Sequence, residues 1–229
     1  MSRKILAEFL GSLLLAALVI GSGIAAQRLS DDTGLRLLEN AAATAAGLYV
    51  LILVFGPVSG AHFNPVVTAV DTALGGMSWR DAAAYIPAQV AGCVSGAVLA
   101  NAMFDLAPVS ISATHRATAA HALSEVVATL GLVLVIFALV RSGRATLAPA
   151  AVGAYIGAAY WFTSSTSFAN PAITIGRMFS DTFAGIAPAS VLPFIAAQLV
   201  GAALAVVLLR VLYPAMNSPH ADEAVLSSR

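Results

Sequence analysis

The chain has 229 residues, 59% hydrophobic and only 10% charged, with a formal net charge of zero. A soluble domain of this size carries about 25% charged residues, so this composition cannot coat a water-facing surface and points to a membrane. The zero net charge gives no footing for a nucleic-acid partner, and the single cysteine, Cys93, excludes an internal disulfide and a cysteine-cluster metal site.

In chain order, six stretches reach or approach the ~20 apolar residues a helix needs to cross the hydrocarbon core. They are residues 5–26, 41–58, 82–104, 122–140, 145–162 and 189–209. The first is too long for the apolar core of a cleaved signal peptide and contains Glu8. Polar breaks at 27–40, 75–81, 105–121 and 141–144 separate the spans, and a short polar tail occupies 214–229. The pattern predicts one membrane domain over 1–213. An even number of spans places both termini on one side, together with Arg3, Lys4, Arg80, Arg141, Arg144, Arg210 and Arg229. Arg28, Arg36, Arg116 and Arg177 fall on the other side, and this excess predicts cytoplasmic termini.

Two apolar segments, 60–74 and 165–181, are too short and interrupted to cross. Each opens with small residues and then Asn-Pro: Ser59-Gly60-Ala61-His62-Phe63-Asn64-Pro65-Val66 and Ser165-Thr166-Ser167-Phe168-Ala169-Asn170-Pro171-Ala172. Asn caps helix N-termini and Pro suits the first helical position, so both segments read as short helices starting at Asn-Pro. At membrane depth such a helix is tolerated only where it is buried or lines a wet cavity, which makes these re-entrant.

The chain also repeats itself. Glu8 in the first span echoes Glu125 in the fourth, Asn64-Pro65 echoes Asn170-Pro171, and Ile86-Pro87-Ala88-Gln89 echoes Ile195-Ala196-Ala197-Gln198. The repeats cover about 5–104 and 122–209, and three spans in each invert the second half. Inverted repeats with broken helices place a solute site near the midplane. The two half-helices then enter from opposite faces and point their positive N-terminal ends at one constriction. Asn64 and Asn170 can cap with oxygen while offering amide donors to a solute. Such a field opposes cations, so neutral solutes with lone pairs are the natural cargo.

Residues 59–68 and Asn170-Pro171-Ala172 resemble the two signatures of the aquaporin/aquaglyceroporin family, and the similarity runs from Glu8 to about Leu209. The resemblance implies an all-α membrane fold of six transmembrane helices and two re-entrant half-helices. It also implies a homotetramer in the lipid bilayer, with one pore per subunit. Glu8 and Glu125 would bind the re-entrant loops. The carbonyls of Gly60, Ala61 and His62, then Thr166, Ser167 and Phe168, would form an acceptor ladder. Residues 170–188 resemble the bacterial branch of arsenic-resistance-associated channels, which implies an inner-membrane location and conduction of arsenite or methylated arsenicals. Arsenite suits such a pore because it is an uncharged trihydroxy molecule at neutral pH.

The chain departs from the family where Arg usually follows the second Asn-Pro-Ala; here that position is Ile173. Gap-free counting carries the other filter positions onto Thr44, Ala158 and Ser167. All four are uncharged and small or medium in size, which predicts a wide, weakly polar outer constriction without a fixed cation. Val66 replaces Ala in the first signature. Arg177 lies one helical turn beyond Ile173. It reads either as an outer-vestibule cation or as a clamp that pairs with Asp181 or with loop carbonyls.

Several residues carry two readings. Glu8 and Glu125 read as a proton relay or as loop clamps, and their paired placement favours clamps. His62 reads as a gate or metal ligand, or as part of the loop; no ligand stands at metal spacing beside it, which favours the loop. Cys93 reads as packing. No cofactor or metal is implied, and no nucleophile–base set suggests an enzyme. A water-selective pore and a coupled secondary transporter remain the alternatives to a wide solute channel.

Overall fold

The computed structural model describes residues 1–214 and is built from helices. The tail expected at 214–229 lies, beyond its first residue, outside the described residues. The first half contains α1 (Ser2–Leu29), α2 (Thr33–Ser59), the short α3 (Pro65–Ala73) and α4 (Trp79–Met103). The second half contains α5 (Ala119–Arg141), α6 (Ala148–Phe162), the short α7 (Pro171–Gly176) and α8 (Pro188–Leu212). Five of these helices are long and apolar enough to span a membrane. The sixth span is shorter than the others: α6 has 15 residues, preceded by a 3-10 turn at Ala145–Leu147. Together they reach ~28 Å, close to the thickness of the hydrocarbon core.

Helix starts follow local chemistry. The Asp32, Ser78 and Thr118 side chains accept from Leu35 N, Asp81 N and His121 N, capping α2, α4 and α5. The helices then pack in matching pairs, α1 on α4 and α5 on α8, with α2 against α6 bridging the halves. Close approach in the first pair depends on Gly92 and Gly96. A Cβ on either would collide with the α1 backbone carbonyls of Phe9 and Leu13. Gly201 has the same relation to Val126 in α5. Small residues are what allow helix backbones to meet inside a membrane.

Large apolar side chains such as Leu14, Val54, Leu123, Leu199 and Val207 lie exposed on the outside of the bundle. The interior holds polar groups instead: Glu8, Gln89, Glu125 and Gln198 are fully buried. That reversal belongs to a protein solvated by lipid, where interior polar groups must find partners within the fold. Cys93 is buried, with its thiol 3.6 Å from Ser12 O. Val66 packs in a core cluster with Val70, Val133, Phe137 and Ala202, so its extra carbons fill space against α5 and α8.

Candidate pore

Both loops that precede the short helices are held from behind by a glutamate. Glu8 accepts from Ser59 Oγ (2.6 Å), His62 N (3.0 Å), Phe63 N (2.7 Å) and Gln89 Nε2 (2.8 Å). Glu125 accepts from Phe168 N and Ala169 N (both 2.9 Å) and from Gln198 Nε2 (2.6 Å). The same glutamine amides donate to Thr68 (2.9 Å) and Thr174 (3.0 Å). Each threonine stands four residues after its Asn, a repeat that is legible in the sequence once the two loops are aligned.

Where the loops turn their N–H groups toward the glutamates and toward Ser59, Thr163 and Ser165, the backbone enters the left-handed region. Ala61, Phe63, Thr166, Ser167 and Ala169 have φ of 51°, 48°, 61°, 51° and 47°. Each such non-glycine residue costs about 1–2 kcal/mol, which the glutamate bonds offset. The carbonyls of Gly60, Ala61, His62, Thr166, Ser167 and Phe168 accept no hydrogen bond from any described residue. The next carbonyl in each loop is used. Asn64 Nδ2 donates to Ala169 O at 2.7 Å, and Asn170 Nδ2 donates to Phe63 O at 2.8 Å. Asn64 Oδ1 caps Val66 N at 3.0 Å, and Asn170 Oδ1 caps Ala172 N and Ile173 N at 2.9 and 3.2 Å. One amide N–H of each Asn is thus committed across the midplane, and the other has no acceptor among the described residues.

A cavity of about 100 Å³ runs past this junction and is lined by Asn64, Asn170, Ala61, His62, Ser167 and Phe168. Its walls come from helix faces at four-residue spacing. Thr44, Leu48 and Ile52 line it from α2, and Ala148, Val152, Ile156 and Tyr160 line it from α6. Val67 and Ile173 stand at matching places, three residues after each Asn, and both line it.

Thr44, Ser167 and Ile173 therefore share one cavity, but Ala158 does not. Ala158 is exposed on the outside of α6. It lies two residues, about 200°, around the helix from Ile156 and so faces away from the lumen. Counting back from Asn170 without gaps missed the register across residues 163–169. Tyr160 holds the inward place, with its hydroxyl 3.3 Å from Thr44 Oγ1. The signal was the inward series 148, 152, 156 and 160, hidden because α6 is apolar nearly all round. Gly60 lines a second cavity, of about 350 Å³, on the side of the termini with Lys4, Asp71 and Tyr85. Thr166 lines neither cavity.

His62 lines both cavities. Its Nδ1 is 3.1 Å from Thr68 Oγ1 and its Nε2 is 3.9 Å from Asp71. Among the described residues no cluster of His, Cys, Asp and Glu could hold a metal ion.

On the far side a cation lines the same cavity as Thr44, Ser167 and Ile173. Arg177, in a 3-10 turn at Arg177–Phe179 after α7, lines the cavity and is only 2% exposed. Its Nε donates to Ala184 O, and its guanidinium carbon lies 3.4 Å from the centre of the Phe168 ring. The pairing with Asp181 does not form, because Asp181 accepts from Ala113 N at 3.0 Å. The flanking carbonyls hold a second arginine: Arg116 donates to Phe183 O (3.2 Å) and Gly185 O (2.9 Å), and lies 5.4 Å from the same ring. The segment that joins the halves is stitched to this mouth. Ser110 N and Ser112 N donate to Phe179 O and Met178 O, and Ala187 N donates to Thr114 O. Gly185 permits the approach, since a Cβ there would strike Ser112 and Ser180 O.

Comparison with known proteins places this architecture. The major intrinsic protein family profile matches residues 1–167. The chain belongs to that family. It is 50% identical over 210 residues to the aquaglyceroporin AqpS of Rhizobium meliloti (strain 1021), covering 92% of this chain and 90% of that one. It is 32% identical over 196 residues to the glycerol uptake facilitator protein of Streptococcus pneumoniae, covering 77% of this chain and 82% of that protein. The solved aquaglyceroporin of Plasmodium falciparum superposes with a TM-score of 0.73 over 91% of this chain and 95% of that one, at 19% identity, which speaks to the fold. The chain is a membrane channel for small solutes, and this family contains channels rather than enzymes.

Proposed function

We propose that this major intrinsic protein conducts small uncharged polyhydroxylated solutes passively: arsenite, methylated arsenicals and glycerol-like molecules, with water as a secondary cargo. The observation that carries the reading is the alternation within one cavity of unsatisfied acceptors and donors with apolar wall. The free carbonyls of Ala61, His62, Ser167 and Phe168 and the spare amide hydrogens of Asn64 and Asn170 stand against Leu48, Ile52, Val67 and Ile156. A solute with several hydroxyls on an apolar frame exchanges its hydration shell for such a surface at little cost. The half-helix N-termini oppose cations at the same place. The kinship with a protein named aquaglyceroporin supports the solute class, and the resemblance of residues 170–188 to arsenic-linked channels supports the arsenical. The assembly is a homotetramer in a bacterial inner membrane with cytoplasmic termini, as the family pattern and the Arg/Lys distribution suggest.

One observation favours a narrower, water-selective pore: Tyr160 sets an aromatic ring beside Thr44, and Arg177 adds a cation to the same cavity. Swelling and uptake by proteoliposomes with water, glycerol, urea, arsenite and methylated arsenicals separates the two. Solute flux that rises linearly with concentration and ignores proton and sodium gradients is the expected result. Water flux without glycerol or arsenite flux would overturn the wide-pore reading, and saturable, gradient-driven uptake would indicate a transporter.

A further inference from the structure

Arg177 is buried in a membrane-spanning fold, yet no carboxylate forms an ion pair with it among the described residues. A cation so placed is costly unless it serves a purpose or is fully bonded. It is only partly bonded. Nε is anchored on Ala184 O and the guanidinium face lies on Phe168, while neither terminal amino group has an acceptor among the described residues. Both belong to a side chain that lines the cavity. Ser167 lines the same cavity, and its buried hydroxyl has no partner among the described residues. Arg116, tied to the carbonyls on either side of Ala184, adds a second positive charge behind the same ring and keeps Arg177 from retracting that way.

Resting on the reading of this pore as a neutral-solute channel, we propose that Arg177 is its charge-selecting group. From one helical turn beyond Ile173, its unbonded amino groups and the Ser167 hydroxyl bind the acceptor oxygens of solutes, and its fixed charge rejects cations. The anchor on Ala184 and Phe168 leaves the guanidinium at the wall, so the lumen beside Ile173 stays open for a polyol-sized solute. Cation rejection is thereby separated from narrowness.

Urea and guanidinium share a planar shape and differ in charge, so their permeability ratio in proteoliposomes reads charge selection at constant size. The intact chain should pass urea and exclude guanidinium. Arg177→Gln should raise the guanidinium-to-urea ratio at least about tenfold, the scale on which a focused field acts. Arg177→Lys, which keeps the charge and a donor for Ala184 O, should stay within about twofold of the parent. A folded Arg177→Gln protein with an unchanged ratio and a lowered thermal midpoint would reduce Arg177 to a loop clamp. Should that variant not fold, Ser167→Cys with Arg177 intact gives an independent reading. A negatively charged methanethiosulfonate added from the far side should label it faster than a trimethylammonium one, by at least about tenfold relative to a free thiol. Equal rates, or no labelling by either, overturn the proposal. Failure of the intact chain to pass urea or glycerol would count against the channel reading itself.

Discussion

The two mouths of the pore are built on equivalent positions and carry opposite charge. Seven residues after Asn64 stands Asp71, and seven after Asn170 stands Arg177. Two residues before each Asn stand His62 and Phe168, and each faces its partner: His62 is 3.9 Å from Asp71, and Phe168 is 3.4 Å from Arg177. Between the mouths the halves are nearly interchangeable. Each has a buried glutamate, a glutamine that bridges it to a threonine, and an asparagine bonded to the other half. The symmetric part fixes the backbone that every solute meets. The asymmetric ends can be tuned independently, because a side chain seven residues past the cap no longer shapes the midplane.

That contrast predicts which substitutions act alike in the two halves. Removing either glutamate should be the most damaging change, with Glu8→Ala worse than Glu125→Ala. The first orphans four donors and the second three, at about 1–3 kcal/mol for each donor left buried. Thermal midpoints in detergent should fall in that order; equal, small shifts would mean the loops hold themselves. Next, Asn64→Asp and Asn170→Asp should each cut neutral-solute flux about tenfold, the effect of about 1.4 kcal/mol in the barrier. A carboxylate still caps but cannot donate to Ala169 O or Phe63 O. A large effect at one Asn alone would break the symmetry between the halves.

How far this was visible beforehand depends on where the information sits. The spans, the Asn-Pro caps and the paired Glu8 and Glu125 lie in local pattern and in the repeat, so sequence reaches them. Tyr160 does not: its inward aim depends on the register of a helix apolar nearly all round. The environment of Arg177 is also nonlocal. Whether it enters the lumen depends on carbonyl 184, and its neighbours 183 and 185 are occupied by an arginine from the segment joining the halves.

The smaller expected effects probe that asymmetric end. Ile173→Arg, which adds a further cation one helical turn before Arg177, should lower glycerol flux about tenfold, again about 1.4 kcal/mol, with a smaller loss for water. An unchanged glycerol-to-water ratio in vesicle swelling would remove position 173 from the constriction. Smallest of all, Ala158→Leu should leave that ratio alone and shift stability by no more than about 0.5 kcal/mol, since Ala158 faces outward. A clear change in selectivity there would restore it to the lumen.

The exchange of amide hydrogens between Asn64 and Ala169 O, and between Asn170 and Phe63 O, bears on how the molecule is made. Synthesis delivers Asn64 more than a hundred residues before Asn170. During that interval the first half has an unclosed centre, with the Phe63 carbonyl and the Asn64 amide lacking the partners that finish them. In hydrocarbon such groups demand a substitute, whether water or the insertion machinery. The contacts that join the halves at the midplane can therefore close only after Asn170 has been made, with α8 still to follow. Halves synthesised as separate chains should become resistant to protease only when they are produced together.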